Sequence, residues 1–296
     1  MVATSDAWIV ERTGIRERRR LLPGETLEGL AAEAGRRALA AAAVPGVDAL
    51  IVATCSREHP IPPVACSVQR ELGLSGIPAF DLNAACSGYL YGLSVADSLI
   101  GGGVAGTVLL IGVDTLTPLV DYTDRTTCVL FGDAAGATVL GRARGNAGIV
   151  AIEWGADGRE SGLIYYGVRP SDPHSEAGIR MAGKGTYRLA VERLCDVARR
   201  LCATAGWGID DVDAVVPHQA NLRIIESAMD RIGIPIEKAV INIDKYGNTS
   251  AASIPLALSD GVSAGRLHDG DRVLMVGFGA GVTWGGAALR WTGPNG

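Results

Sequence analysis

Cys86, His218 and Asn248 offer a thiol, an imidazole and a carboxamide, spaced 132 and 30 residues apart. A thiolate attacking an acyl carbonyl, a neutral imidazole donating to an oxyanion and an amide donor beside it would perform nucleophilic acyl transfer. The same three residue types also serve papain-like thiol hydrolysis, so identity alone leaves both chemistries open. Cys86 stands in DLNAACSGYLYGL, where a strand-like run gives way to a helix-like run with small residues. A thiol there meets first-turn amides and the positive end of a helix dipole, which favour the thiolate. An arbitrary cysteine is ordinarily a small buried thiol, but the flanking AACSG leaves room for an acyl group. Cys195 and Cys202 lie seven apart on one helical face, and Cys55, Cys66 and Cys128 lie in apolar or small-residue surroundings without a nearby base. His218, in VVPHQANLRII, follows a buried-type strand, whereas His59, His174 and His268 lie in proline-rich or polar loop sequence. Asn248 lies in KYGNTSAASIP, where GNTS also suits a turn or a helix cap.

The elements that must position these residues come in duplicate. VDALIVATCS (47–56) returns as VDAVVPHQAN (212–221), and LLIGV (109–113) returns as LMVGF (274–278), both at an offset of 165. The strand-like AFDLN (79–83) runs into small residues around Cys86, while VINID (240–244) runs into small residues around Asn248, an offset of 162 that gives Asn248 the place of Cys86 in the second half. Leu27, Leu30, Ala34, Ala38 and Leu39 share one helical face, as do Leu189, Leu194, Val197 and Leu201. The pattern predicts two α/β halves, 1–145 and 146–296, with strands buried on both faces and chemistry on turns at the seam. Arg169 to Glu176, RPSDPHSE, reads as a surface loop.

Composition narrows the function classes. With 48% hydrophobic and 20% charged residues the chain is globular, although 40 of its 296 residues are glycine. A net charge of −5 gives no bulk attraction for nucleic acid. The longest uncharged stretch, Ser98 to Val113, is too short and glycine-rich to span a bilayer, and Met1 to Asp6 has no secretory-signal pattern, so a cytoplasmic protein with no membrane partner is expected. The six cysteines then read as thiols, and the absence of a CxxC pair or of histidines at ligand spacing predicts no metal site. Gly101, Gly103 and Gly106 match GxGxxG but precede a strand-like run instead of following one, which argues against a dinucleotide site.

Six segments carry a resemblance: TSDAWIVERTGIRERR (4–19), DLNAACSGYLYGLSVAD (81–97), YTDRTTCVLFGDAAGATVL (122–140), VPHQANLRII (216–225), YGNTSAASIPLAL (246–258) and GFGAGVTWGGAALRW (277–291). In family order and over nearly the whole chain, they resemble the beta-ketoacyl-acyl-carrier-protein synthase III family. The resemblance implies an α/β thiolase fold, a duplicated five-layered αβαβα arrangement with two mixed sheets, in a homodimer. It implies a decarboxylating condensation of an acyl-CoA starter with malonyl-acyl carrier protein, initiating fatty acid or polyketide synthesis, with no permanently bound cofactor. Cys86 then takes the acyl group, and His218 and Asn248 support decarboxylation and hold the enolate. The amides of Cys86 and Ala280 form the oxyanion hole. Trp8, Arg12, Arg125 and Asn221 hold coenzyme A. Arg223 and Arg231 meet the carrier protein, although Asp230 stands where a further base is expected. Ile61 limits the acyl pocket, reaching it from the partner subunit on the loop 57–65, and Phe278 shields the site. Other readings are acyl transfer without decarboxylation, a thiol hydrolase and a non-catalytic partner subunit. The family normally has a strand and a helix before TSDxWI, so the first half is expected to lack an inner strand, through a shortened sequence or a substitute element.

Overall fold

A computed structural model describes residues 2–143, 145–167 and 177–293, so the RPSDPHSE segment and His174 lie outside the described residues. The chain opens with α1 (Asp6–Thr13), where the Ser5 hydroxyl accepts from the Trp8 amide at 3.2 Å and Gly14 closes the helix at φ 78°. The first sheet and its helices follow: α2 (Leu27–Ala41), β1 (Ala49–Ala53), α3 (Val64–Glu71), β2 (Ala79–Leu82), α4 (Gly88–Gly101), β3 (Thr107–Thr115) and β4 (Asp133–Gly141). Next come β5 (Gly148–Ala156), a small antiparallel pair formed by β6 (Ile164–Tyr166) and β7 (Ile179–Met181), α5 (Gly183–Ala205), β8 (Ala214–Pro217), α6 (Leu222–Ile232), α7 (Ile243–Tyr246), α8 (Ser253–Ser263), β9 (Arg272–Gly279) and β10 (Thr283–Arg290).

Both large sheets are mixed. The first has the order β2-β1-β3-β4, parallel except for β3 against β4; the second has the order β5-β10-β9-β8, in which only β8 and β9 are parallel. Alternation along the strands explains the near-continuous apolar runs. Leu50, Val52, Leu109 and Ile111 face α2 and α3, while Ile51 and Leu110 face the opposite way, towards α4 and α8. In the second sheet Val216, Val273 and Met275 face that same central helix layer, and Val215, Leu274 and Val276 pack against α5 and α6. Two outer helix layers, two sheets and a shared middle layer result, and the inner strands β1, β3, β8 and β9 are apolar at successive positions because they are covered on both sides.

The expected inner gap in the first sheet is absent: β1 pairs with β2 on one side and β3 on the other, and β3 pairs with β4. The difference between the sheets lies at an edge. β4 ends the first sheet, whereas β10 is flanked by both β9 and β5. The strand expected over 240–244 is also reduced. Val215 and Ala239 form one parallel bridge and the Val240 amide donates to the Val215 carbonyl at 2.8 Å; beyond that the side chain of Gln219 takes over. Its amide nitrogen reaches the carbonyls of Pro217 (2.7 Å) and Val240 (3.1 Å), and its oxygen accepts from the Asn242 amide at 3.1 Å. One buried carboxamide thus does the pairing of a strand and frees Ile243 to start α7.

Candidate active site

Cys86 lies in a single 3-10 turn, Ala85–Ser87, between β2 and α4. Ala85 is left-handed at φ 48°, and its amide donates to Asn83 Oδ1 at 3.1 Å. The second half repeats this elbow. Ser250 stands at φ 51°, its amide donates to Asn248 Oδ1 at 3.0 Å, and a 3-10 turn Ser250–Ala252 leads into α8. The repeated elbow corrects the sequence alignment: at the 165-residue offset Asn248 matches Asn83, and Cys86 matches Ala251. A non-glycine residue held left-handed in each elbow is local strain of the kind found where a side chain must be aimed.

The end of β9 backs the two chemical groups. The His218 amide donates to the Val276 carbonyl at 2.8 Å, and a Cβ placed on Gly277 would lie 3.7 Å from His218 Cβ. A Cβ on Gly279 would lie 2.8 Å from the Cys86 nitrogen and 3.0 Å from the Ser87 nitrogen, so only glycine permits the elbow to approach. Gly277 and Gly279 share one face of the strand, roughly 7 Å apart, and His218 and Cys86 are backed by that face. Thr283 Oγ1 donates to the Ala84 carbonyl at 2.9 Å and ties β10 to the same elbow.

The Cys86 thiol lies within the electrostatic reach of the Ser250 hydroxyl and of the amides of Cys86 and Ala280. Burial pushes it up to about 11 even so; the Ser250 hydroxyl and the two amides pull it down, and the Asp114 carboxylate pushes it further up. The thiolate expected from the helix end is therefore outweighed in the resting protein, because desolvation of the anion exceeds what the amides return. His218 is 3% exposed, and burial lowers it to about 4, so the ring is neutral at physiological pH. Its Nδ1 lies 3.0 Å from Ser253 Oγ. Asn248 is buried, with its backbone bridged to Phe131 through the Leu130 carbonyl and the Gly132 amide. Among the described residues neither His218 Nε2 nor Asn248 Nδ2 has a protein partner, and neither is sealed from solvent.

Asp114, at the end of β3, organises this region and was not singled out by the sequence. It is fully buried. Oδ1 accepts from the Cys55 amide (2.8 Å), Thr54 Oγ1 (3.1 Å) and Ser56 Oγ (2.8 Å), and Oδ2 accepts from the Ala251 amide at 3.1 Å. A lone acid closing the buried-type run VLLIGVD was the available signal. Cys55 is also nearer the chemistry than its apolar surroundings implied, with its sulfur 3.7 Å from Ser250 Oγ.

A second group lies at the surface. The Arg125 guanidinium sits 4.6 Å from the Trp8 ring centre and that of Arg12 sits 5.8 Å away, both within cation–π range. Asn221 caps α6, accepting from the Arg223 amide at 2.9 Å and donating to the Arg12 carbonyl at 3.2 Å. Arg12, Asn221 and Arg223 line an open cavity of about 450 Å³ together with Gly183, Lys184 and Tyr187 from the N-terminal end of α5, which the sequence did not indicate. Arg231 stands in the last turn of α6, away from that lining. Ile61 is 80% exposed and Phe278 is buried in the core beside Ile224 and Val282. No helix among the described residues is long and apolar enough to cross a membrane.

Residues 80–158 match the family described as 3-oxoacyl-[acyl-carrier-protein] synthase III, and residues 202–291 match its C-terminal part. A beta-ketoacyl-[acyl-carrier-protein] synthase III of Rhizorhabdus wittichii is 46% identical over 293 residues, covering 98% of this chain and 92% of the relative. The crystal structure of a 3-oxoacyl-[acyl-carrier-protein] synthase III from Aquifex aeolicus superposes with a TM-score of 0.92 at 43% identity, over 97% of this chain and 92% of that one. The priming beta-ketosynthase of the R1128 polyketide biosynthetic pathway superposes with a TM-score of 0.93 at 37% identity, over 98% and 89%. The fold is the thiolase fold, and from the two matched segments together with the near-complete coverage at this identity, the chain belongs to the 3-oxoacyl-[acyl-carrier-protein] synthase III family.

Proposed function

We propose that the protein joins a short acyl-CoA starter to malonyl-acyl carrier protein with loss of carbon dioxide, the initiating condensation of fatty acid synthesis. The observation that carries this reading is the backing of both groups by one face of β9, where a Cβ on Gly279 would lie 2.8 Å from the Cys86 nitrogen and one on Gly277 would lie 3.7 Å from His218 Cβ. In the first half-reaction Cys86 Sγ attacks the thioester carbonyl, the carbonyl oxygen rests on the two amides, and the bond to the coenzyme A sulfur breaks as that sulfur takes up the thiol proton. Trp8 and Arg125 stack on the adenine, Arg12 holds a phosphate, and Asn221 holds the pantetheine side of the cleft.

In the second half-reaction the malonyl carbonyl oxygen takes hydrogen bonds from His218 Nε2 and Asn248 Nδ2. Breaking the carbon–carboxylate bond releases carbon dioxide and puts the electron pair into an enolate, whose charge those donors stabilise without a proton transfer. The enolate carbon attacks the acyl group on Cys86, and the cysteine sulfur leaves as a thiolate that takes a proton from solvent to regenerate the thiol. The chemistry requires no resident cofactor because both reacting carbonyls are already thioesters. Arg223 and Arg231 are read as contacts for the acidic carrier, and the exposed Ile61 as the residue that reaches the partner's acyl pocket in a cytoplasmic homodimer.

The test is to supply an acyl-CoA and then malonyl-carrier protein labelled in its free carboxyl, following Cys86 acylation by mass and release of labelled carbon dioxide. Acylation followed by stoichiometric carbon dioxide and 3-oxoacyl carrier is expected. Transfer of the acyl group without carbon dioxide would replace condensation by simple acyl transfer, and release of free acid would indicate a hydrolase.

A further inference from the structure

We propose that Ser253 is the positioning residue that holds His218 in the tautomer with its hydrogen on Nε2, so that a neutral ring presents a donor to the substrate. The inference rests on the reading of His218 as a hydrogen-bond donor and adds the group that makes it one. A neutral imidazole has one N–H, and the partner of the other nitrogen decides which nitrogen carries it.

Ser253 is the first residue of α8, and its hydroxyl is buried. Two bonds define it. The Gln219 amide donates to Ser253 Oγ at 2.7 Å, and His218 Nδ1 lies 3.0 Å from the same oxygen. A backbone N–H can only donate, so the first bond spends a lone pair of the hydroxyl oxygen and leaves its hydrogen free. Among the described residues that hydrogen has one available acceptor, His218 Nδ1. Were Nδ1 protonated instead, the oxygen would receive two N–H groups and its own hydrogen would be orphaned in a site 1% exposed to water. The arrangement Gln219 N–H to Ser253 Oγ, Ser253 O–H to His218 Nδ1 satisfies every group and places the ring hydrogen on Nε2.

The consequence reaches Asn248. Asn248 Oδ1 accepts from the Ser250 amide at 3.0 Å, which turns Nδ2 outward as a donor. The stretch 248–253 therefore orients both donors, the carboxamide through a backbone amide and the imidazole through a serine hydroxyl. Loss of the Ser253 hydroxyl would leave Nδ1 free to hold the proton and Nε2 to face a developing negative oxygen with a lone pair.

The protein has four histidines, so the tautomer can be read directly. In protein labelled with ¹⁵N-histidine, long-range ¹H–¹⁵N spectra near neutral pH distinguish a protonated ring nitrogen from a bare one, and the His218 signals are those missing from His218→Gln. The expected result is a bare Nδ1 and a protonated Nε2 in the wild type, with population moving to Nδ1–H in Ser253→Ala. A protonated Nδ1 in the wild type, or the same tautomer in both proteins, would overturn the proposal. In kinetics, Ser253→Ala is expected to leave Cys86 acylation unchanged while condensation falls roughly 10- to 100-fold, the scale of losing one oriented donor. Ser253→Thr, which keeps the hydroxyl, restores most of it. Equal loss in the Thr and Ala variants would reduce Ser253 to packing. If Ser253→Ala does not fold, the wild-type spectrum still decides. A protonated Nε2 together with full condensation by His218→Ala, which has no side-chain donor, would leave the tautomer standing and sink the donor reading of His218.

Discussion

Asn83 and Asn248 stand 165 residues apart and make the same hydrogen bond, each Oδ1 accepting from the amide two residues on, at 3.1 and 3.0 Å. In both elbows the bond holds a residue left-handed, Ala85 at φ 48° and Ser250 at φ 51°. The duplication preserved a way of turning the chain, and only one copy places a cysteine three residues after the asparagine.

On the proposed reading Asn248 has two separable jobs: its oxygen holds the turn, and its amino group is the donor offered to the substrate. Asn248→Asp keeps the acceptor and removes the donor. Acylation of Cys86 is expected to survive within a few-fold while condensation falls by at least about 10²-fold, because the change removes one donor and sets a carboxylate oxygen against the developing enolate. Parallel assays of acyl-enzyme formation by mass and of carbon dioxide release check this; unimpaired condensation would assign the donor role elsewhere.

The layers were legible in the sequence because strands covered on both faces must be apolar at successive positions, and ALIVAT, VLLIGV and RVLMVGF are. The 165-residue repeat likewise matched β1 with β8 and β3 with β9. Where the structure departs from the sequence pattern, a side chain replaces a backbone rule. VINID looks like a strand, yet the Gln219 carboxamide supplies the pairing beyond Val240, and no local pattern announces that. Aligning Asn248 with Cys86 followed from placing small residues opposite small residues, whereas the elbow is defined by a backbone dihedral. Asp114, Ser250 and Ser253 escaped notice because their partners lie far along the chain, 137 residues in the case of Asp114 and Ala251.

Burial, which raises the Cys86 thiol to about 11, predicts how it reacts in the free protein. Alkylation by iodoacetamide, followed at the Cys86 peptide by mass, should rise about tenfold per pH unit from 7 to 9, because the thiolate fraction is still far from saturation. A plateau below pH 8 would mean that the amides at the helix end outweigh desolvation.

His218 links the site to stability. Its ring is held neutral in the folded protein, with burial lowering it from the ordinary 6.5 to about 4. Between those values the unfolded chain binds a proton that the folded chain does not, so stability rises with pH there. The contribution is fully present above pH 6.5 and is lost as the pH falls towards 4, in total about 3 kcal/mol. Urea unfolding at pH 7.5, 5.5 and 4.5 should show a steeper acid loss in the wild type than in His218→Gln. Parallel curves would place the proton on the folded ring.

Arg125, 4.6 Å from the centre of the Trp8 ring, is expected to act on binding alone. Arg125→Ala should raise KM for acyl-CoA roughly 5- to 30-fold, the scale of a lost stacking contact, with kcat unchanged. An acyl-pantetheine substrate lacks the adenine and should be indifferent to the change. A matching penalty on both substrates would move Arg125 from the adenine to the reacting end.

Asp114 offers the sharpest test of how the elbow is held. The amides of Cys55 and Ala251 and the hydroxyls of Thr54 and Ser56 reach its carboxylate at 2.8 to 3.1 Å, and the Ser250 hydroxyl faces it as well. Asp114→Asn keeps the shape but puts an NH₂ against donors whichever way the amide turns, so at least one buried N–H loses its acceptor. Unfolding free energy should fall by about 3 kcal/mol. Acylation should slow as well, because the Ala251 turn carries Ser250, whose hydroxyl lies within electrostatic reach of the Cys86 thiol. Burial raises the Asp114 carboxyl, and a loss below about 1 kcal/mol would mean that it is already neutral in the fold, which an amide can replace at little cost.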